Sequence, residues 1–236
     1  MNLAHIEAVL FDAVGTLIRA RQPIATTYYE LGRRHGFELA EAEVAARCRR
    51  AIARQDALDA ERHAWRTDEA REHRRWRDIV DDIFAETGMP AAREALFEDL
   101  WNRFALPETW ATFDDAGGTI PPLIERGLTV GLVSNFDARL EVIARQLPPL
   151  DLCRRLFISS RIGFRKPSAN FFRAVSTQLG IGGDRLLMVG DDPANDYGGA
   201  RAAGWNAILI DRKSNGSQPA SITSLDELLA MLPLRV

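Results

Sequence analysis

Four short stretches of this 236-residue chain end in side chains that could do chemistry together. One apolar run ends at Asp12, and a later one ends at Ser134 and Asn135. Lys166 follows a third run, and an aspartate pair that begins at Asp191 closes a fourth. A carboxylate can attack an electrophile and form a covalent ester, which divides one difficult step into two. A hydroxyl, an amide and a cation can neutralise the charge of a phosphoryl group. These residue types predict covalent hydrolysis, provided that the fold brings them together.

Lysine usage singles out Lys166. The chain has 30 lysines and arginines in all, and only Lys166 and Lys213 are lysines. Lys166 lies directly before a proline, in the loop that follows the third apolar run. We therefore interpret Lys166 as a residue of the site rather than as a surface cation.

The apolar runs alternate with helical segments, which indicates a parallel sheet. Runs at 6–11, 128–134, 156–159, 185–190 and 207–210 are short and continuously apolar, as in strands that are buried on both faces. The alternation predicts an α/β fold, a Rossmann-like parallel sheet core with helices on both faces. Ligands of such sheets bind beyond the carboxyl ends of the strands, so the four stretches are expected to converge there.

A long helical segment interrupts this alternation after the first strand. Residues from about 24 to 105 are rich in Ala, Glu and Arg, and four helices are predicted at 25–36, 38–63, 67–88 and 90–105. We predict an inserted all-α domain at 21–109, with the α/β core formed by 1–20 and 110–236. Hinges are expected near 19–23 and 106–113. A polar loop is predicted at 211–221.

Composition narrows the class of partner. The net charge of −3 argues against binding to nucleic acid or to an anionic membrane surface, and no run is long enough to span a membrane. Cys48 and Cys153 have no metal-type spacing and are read as reduced thiols. The N-terminus lacks the basic region of a secretory signal, so a cytoplasmic protein is expected. No feature of the sequence specifies an oligomeric state.

Four motifs in the expected order resemble the haloacid dehalogenase-like hydrolases. They read FDAVGTL at 11–17, VSN at 133–135, GFRKP at 163–167 and VGDDPANDYGG at 189–199. The resemblance covers nearly the whole chain, and the inserted helices look like the helical cap of that family. It implies that Asp12 is the nucleophile, with Ser134 and Lys166 as further catalytic groups.

The resemblance also implies a ligand set. Mg²⁺ would be held by Asp12, the backbone carbonyl of Val14 and Asp191. Asp196 occupies the second acidic position of the fourth motif, although it could serve only as a helix cap. Asp192 could either support the site or be an ordinary loop residue.

A small phosphorylated metabolite is the substrate that the resemblance implies. Ser134, Asn135 and Lys166 would bind its phosphoryl group, and Asp12 would carry an aspartyl-phosphate.

Val14 departs from the family pattern. Phosphatases of the family place a second aspartate at this position, where it protonates the leaving oxygen and then activates water. Loss of such a group typically costs about 10²- to 10⁴-fold in rate. Three alternatives stay open: a weak Mg²⁺-dependent phosphatase, which we favour, a metal-independent 2-haloacid dehalogenase, and a non-catalytic binding protein. A phosphonatase-like enzyme is set aside, because no lysine precedes Lys166 and arginine stays protonated.

Other polar residues are assigned ordinary roles. Asp137 is predicted to be the N-cap of the helix that follows the second motif. The basic run HRRWR at 73–77 is predicted to be a solvated helix face, and the five tryptophans are predicted to be packing residues.

Overall fold

A six-stranded parallel sheet forms the centre of the fold. The computed structural model describes residues 3–85, 89–212 and 221–232. The strand order is β5-β4-β1-β6-β7-β8, and every neighbouring pair is parallel. The α/β prediction is therefore confirmed. The strands are β1 Ala8–Phe11, β4 Thr129–Ser134, β5 Arg155–Ile158, β6 Leu186–Gly190, β7 Asn206–Ile210 and β8 Ser221–Ile222.

The first strand lies in the middle of this sheet. Ala8 pairs with Thr129 of β4 on one side and with Leu186 of β6 on the other. All four residues of β1 are fully buried, which explains its continuous apolar sequence. The Asp12 N–H donates to the Val189 carbonyl at 2.9 Å, so the ladder continues to the first residue beyond the strand.

Helices cover both faces of the sheet. One face packs against α5 Asp114–Glu125, α6 Arg139–Gln146 and α10 Asp226–Met231. The other packs against α8 Ala169–Leu179 and α9 Gly199–Ala202. The short helix α7 Ser159–Ile162 ends at Gly163, whose φ of +89° favours glycine.

Four helices lie between the first strand and the rest of the sheet. They are α1 Ile24–Arg34, α2 Glu41–Glu61, α3 Glu69–Phe84 and α4 Pro90–Arg103. They pack around an apolar cluster of their own. The Asp68 carboxylate caps α3 by accepting from the Arg71 N–H, and Pro90 occupies the first turn of α4. Residues 86–88, where the third helix was predicted to end, lie outside the described residues.

A two-stranded antiparallel ribbon joins the inserted helices to the sheet. β2 Ile18–Ala20 pairs with β3 Trp110–Thr112. The pair nearest the inserted helices along the chain is Ala20–Trp110. The predicted domain boundaries fall at this pair, and the division into core and cap stays a prediction. The ribbon itself was not predicted.

Three assignments from the sequence differ from the structure. Ala138 rather than Asp137 directly precedes α6, but the Asp137 carboxylate still accepts from the N–H of Arg139 in the first turn, as a capping residue does, and also from its guanidinium. The face at 73–77 is only partly solvated, because Arg74 is exposed but Arg75 is buried. Ser221 begins β8, whereas a polar loop was predicted through 221; residues 213–220 of that loop lie outside the described residues.

None of the described helices combines the length and the apolar character that crossing a membrane requires.

Candidate active site

The four predicted stretches meet in one cleft beyond the carboxyl ends of the central strands. Its walls include Asp12, Ser134, Asn135, Lys166 and Asp191, and its volume is about 200 Å³. Ser134 is the last residue of β4, the other three polar residues directly follow β1, β4 and β6, and the loop after α7 carries Lys166.

The Lys166 ammonium is the centre of the hydrogen-bond network. Its Nζ donates to Asp12 Oδ1 at 2.7 Å, to Asp196 Oδ1 at 2.6 Å and to the Val133 carbonyl at 2.8 Å. An ammonium has three N–H bonds, so these contacts use all of them. Burial opposes the charge, but Asp12 and Asp196 outweigh that effect and raise the pKa of Lys166. Lys166 is therefore a charged, fully buried cation.

Asp12 lies against this cation at the bottom of the cleft. Burial raises the pKa of its carboxyl group; Lys166 lowers it, and the nearby Asp191 raises it further. One carboxylate oxygen, Oδ1, contacts Lys166. Since the side chain is anchored through that atom, the other oxygen is available for chemistry in the cleft.

Asn135 and Lys166 are joined by a pair of reciprocal hydrogen bonds. The Asn135 amide donates to the Lys166 carbonyl at 2.9 Å, and its oxygen accepts from the Lys166 N–H at 2.8 Å. This contact fixes the backbone that carries the ammonium, a role that sequence reasoning missed. One amide N–H of Asn135 stays available for the predicted substrate contact. The hydroxyl of Ser134 makes no hydrogen bond within the described part of the chain, and Ser134 lines the cleft.

Asp196 is the second carboxylate that binds the Lys166 ammonium. Its second oxygen accepts from the Asp192 N–H at 3.1 Å, so both oxygens are engaged. Burial raises the pKa of Asp196 to about 6, against the lowering effect of Lys166. The Asp192 carboxylate caps the π-helical turn Pro193–Gly198 by accepting from the N–H groups of Ala194 and Asn195. The two aspartates thus have separate structural roles, which the spacing alone left open.

The donor set of the cleft fits Mg²⁺. Oxygens of Asp12, Asp191 and Asp196 lie within 4.8 Å of one another. Mg²⁺ prefers such carboxylate oxygens and usually keeps several waters. Because both Asp196 oxygens already have partners, Asp12 and Asp191 are the carboxylates that could hold the ion, and Val14 lines the same cleft.

Gly15 makes room for this arrangement. Its φ is +98°, and a Cβ at this position would lie 2.2 Å from Asp191 Oδ2. No other residue could therefore occupy the turn without displacing Asp191. Burial raises the pKa of the Asp191 carboxyl group, and Asp196 raises it further, while Thr16 donates to Oδ1. The turn after Asp12 therefore packs closely against Asp191, which follows β6.

An apolar cavity of about 180 Å³ adjoins the cleft. Val14, Asn135 and Phe136 line both spaces. Trp76 and Trp101 of the inserted helices form part of its wall, so these tryptophans are more than packing residues. The sequence did not indicate this cavity, because its walls come from distant parts of the chain.

The inserted helices are attached to the loop that carries Lys166. Arg165 is buried and donates to Glu72 of α3, and the Arg165 N–H donates to the Trp65 carbonyl at 2.8 Å. The Thr67 N–H donates to the Gly163 carbonyl at 3.1 Å. We call this set of contacts (Trp65, Thr67 and Glu72 with Gly163 and Arg165) the latch.

The family is established by comparison with known proteins. A model of the haloacid dehalogenase-like hydrolase family matches residues 6–204. The chain belongs to the haloacid dehalogenase-like hydrolases. It is therefore a hydrolase of this family, and the cleft at Asp12 is its candidate active site.

One curated relative and two solved structures are similar to this chain along nearly its whole length, and the two structures belong to enzymes of different activity. The chain is 29% identical over 240 residues to haloacid dehalogenase-like hydrolase domain-containing protein 3 of Danio rerio, with 95% of each chain covered. A haloacid dehalogenase-like phosphatase from Thermococcus onnurineus has a similar structure (TM-score 0.66, 22% identity, 98% and 100% covered). So does a 2-haloacid dehalogenase from Pseudomonas syringae (TM-score 0.64, 19% identity, 96% and 97% covered). The fold is thus shared by both kinds of enzyme and does not choose between them.

Proposed function

We propose that the protein is a Mg²⁺-dependent phosphoryl hydrolase that acts on a small phosphorylated metabolite through an aspartyl-phosphate on Asp12. The observation that carries the proposal is the pairing of Asp12 with the buried Lys166 ammonium beside a second carboxylate, Asp191. A phosphoryl group brings negative charge to a carboxylate nucleophile, and a fixed cation reduces the repulsion.

The covalent step follows from the position of Asp12. A carboxylate oxygen of Asp12 bonds to phosphorus, and the bond from phosphorus to the leaving oxygen breaks. The leaving oxygen departs with the electron pair. Water then attacks the same phosphorus, releases inorganic phosphate and returns the Asp12 carboxylate. The Ser134 hydroxyl and the free amide N–H of Asn135 donate to the phosphoryl oxygens.

Asp12, Asp191 and the Val14 carbonyl would hold Mg²⁺. The bound ion supplies positive charge for the phosphoryl oxygens and offsets the repulsion among the carboxylates. This role agrees with the raised pKa values of Asp12 and Asp191, since both groups lose water and face another carboxylate.

Val14 restricts the reaction. A valine cannot protonate the leaving oxygen or activate water, so turnover is slow unless the leaving group is stable as an anion. Acyl phosphates meet this condition. The two free, buried cysteines agree with the cytoplasmic location that we propose with this activity.

A 2-haloacid dehalogenase is the second candidate. Val14 and the apolar cavity favour it, because halide departs without a proton and haloacids carry apolar carbon. The oxygen donor set around Asp191 has no role in that metal-independent reaction, which is why we prefer the phosphoryl hydrolase.

One set of assays separates the candidates. Acetyl phosphate, p-nitrophenyl phosphate and 2-chloropropionate are offered with Mg²⁺ and with a chelator. We expect phosphate release that requires Mg²⁺ and is lost in Asp12→Asn. Asp114→Asn, which changes an exposed aspartate in the first turn of α5, is the control and should keep the activity. Halide release in the presence of the chelator would establish the dehalogenase instead.

A further inference from the structure

The walls of the apolar cavity select for a flat, uncharged group. More than half of its wall residues are aromatic, among them Trp76, Trp101 and Phe136. Aromatic rings prefer offset-stacked or edge-to-face contacts with other rings. The exposed wall is almost entirely apolar, in contrast to the polar cleft that holds Asp12.

The charge on the cavity wall is already neutralised. Arg139 is the one charged wall residue that the structure records there. Its guanidinium makes two bonds of 2.7 Å to the Asp137 carboxylate and one of 3.1 Å to the Trp101 carbonyl. It also lies 3.4 Å from the centre of the Trp101 ring. Arg139 therefore supports the aromatic wall, and the described residues place no unpaired cation there to attract an acid or a second phosphate.

The cavity borders the cleft at Val14, the residue that lacks proton chemistry. Val14 and Phe136 border both spaces. A phosphoryl group bonded to Asp12 occupies the polar cleft, and its leaving group then extends past Val14 into the cavity. The surroundings of the leaving group are therefore apolar, and they provide no acid at position 14.

We propose that the natural leaving group is a single-ring phenol, so that the substrates are aryl phosphate monoesters. Two independent features require this class: aromatic walls that bind a ring, and a missing acid that only an acidic hydroxyl tolerates. A phenol ionises near pH 10, far below an alkanol, and departs as its anion. An apolar cavity of about 150 Å³ is known to admit benzene, so about 180 Å³ suits one ring. The inference rests on the proposed phosphoryl hydrolysis.

Phenyl phosphate and cyclohexyl phosphate test the leaving group at nearly constant size. We expect kcat/KM to be at least about 100-fold higher for the phenyl ester, since an unassisted alkoxide departure forfeits the about 10²- to 10⁴-fold benefit of an acid. Val14→Asp should reduce this ratio by restoring the acid. Equal rates for the two esters would overturn the proposal. If acetyl phosphate is hydrolysed and phenyl phosphate is not, the proposal also fails while phosphoryl hydrolysis stands. Turnover of neither phosphate would overturn both.

Two cavity variants test the binding of the ring. Val80→Phe fills the cavity from α3, and we expect the ratio of kcat/KM for phenyl phosphate to that for acetyl phosphate to fall at least about 10-fold. Val44→Phe is the matched control: Val44 and Val80 are both 1% exposed in the same helical cluster, but Val44 does not line the cavity. Ile24→Trp narrows the cavity from a wall position that is 39% exposed, and so avoids overpacking the core. An unchanged ratio in both Val80→Phe and Ile24→Trp would contradict the inference.

Discussion

The hydrogen bonds of the Lys166 ammonium are all made within the protein. All three of its N–H bonds go to protein oxygens, two of them on carboxylates that could not otherwise be charged in a buried site. The ammonium would therefore act on a phosphoryl group at Asp12 in two ways: through the positive charge of the ammonium, and by holding Asp12 in position. Lys166 therefore contributes to the stability of the folded core, where it is buried.

Replacing Lys166 should destabilise the fold in a pH-dependent way. Lys166→Met leaves Asp12 and Asp196 buried without a cation, and breaking a buried pair costs about 3–5 kcal/mol. The two carboxyl groups then keep pKa values above the unfolded value of 3.8, so the folded state binds protons that the unfolded chain does not. The free energy of unfolding should consequently rise as the pH falls from 8 to 5, as urea titrations at the two pH values would measure.

The double variant Lys166→Met/Asp196→Asn controls for lost packing. It removes one of the two stranded carboxylates, so part of the stability at pH 8 should return. A loss of stability that is equal at pH 5 and pH 8 would show that the cost comes from packing alone.

Residue positions were predictable where a strand end fixes them. Asp12, Ser134 and Asp191 each follow a buried strand, and parallel strands bring such residues to one edge. The partnership of Asp196 with Lys166 and the reciprocal bonds of Asn135 were not predictable, because they depend on side-chain directions that spacing does not contain. The catalytic roles themselves stay predictions.

At the scale of elements, α3 carries two kinds of contact. One side of the helix lines the apolar cavity through Trp76 and Val80. Its first turns hold the latch, where Glu72 Oε1 accepts from both Thr67 and Arg165. Movement of the inserted helices about the predicted hinges at 19–23 and 106–113 would have to break these buried bonds. The latch therefore favours the arrangement of the inserted helices that the structure shows.

Breaking the latch should cost far more than breaking a surface pair. Glu72→Gln removes the charge that faces the buried Arg165, and we expect a loss of about 3 kcal/mol in the free energy of unfolding. Asp82→Asn removes the partner of Arg54, which is 66% exposed, and should cost about 0–1 kcal/mol. Chemical denaturation of both variants measures the difference. Similar losses in the two variants would mean that the latch contributes no more than a surface ion pair.

Elements that show a continuous apolar run or a long helical segment were predicted, and the shortest strands were not. The five predicted strands and the four helices of the insertion all appear, with ends that shift by a few residues. β2, β3 and β8 have two or three residues each, too few to show a period. The buried position of Arg75 was missed because Asp56 and Asp59, which neutralise it, lie on another helix.

At the scale of the whole molecule, the two cysteines lie in two different apolar clusters, so their reactivity can show when each cluster unfolds. Cys48 lies in the apolar cluster of the inserted helices, and Cys153 lies in a cluster beside the sheet. Burial raises the pKa of Cys48 to about 11 and that of Cys153 to about 12, with Asp151 adding to the second shift. Both thiols are thus protonated and enclosed at neutral pH, and neither should react with a thiol reagent in the native state.

Thiol labelling in denaturant tests the division into core and cap. Cys48→Ala and Cys153→Ala leave one reporter each, and we expect the two thiols to become reactive at different urea concentrations if the two clusters unfold separately. A circular dichroism titration of each variant corrects for any change in stability. Coincident labelling midpoints would show that the clusters unfold as one unit.

The central position of β1 also determines when the site can form during synthesis. β1 is synthesised before the other described strands, yet its neighbours in the sheet begin at Thr129 and Leu186. The four helices in between make their contacts locally and can complete their own cluster while β1 still lacks a partner. Asp12 acquires its lysine only after residue 166, and its carboxylate neighbour only after residue 191. The candidate site is therefore incomplete until residue 191 has been synthesised, and the apolar β1 depends on shielding until then.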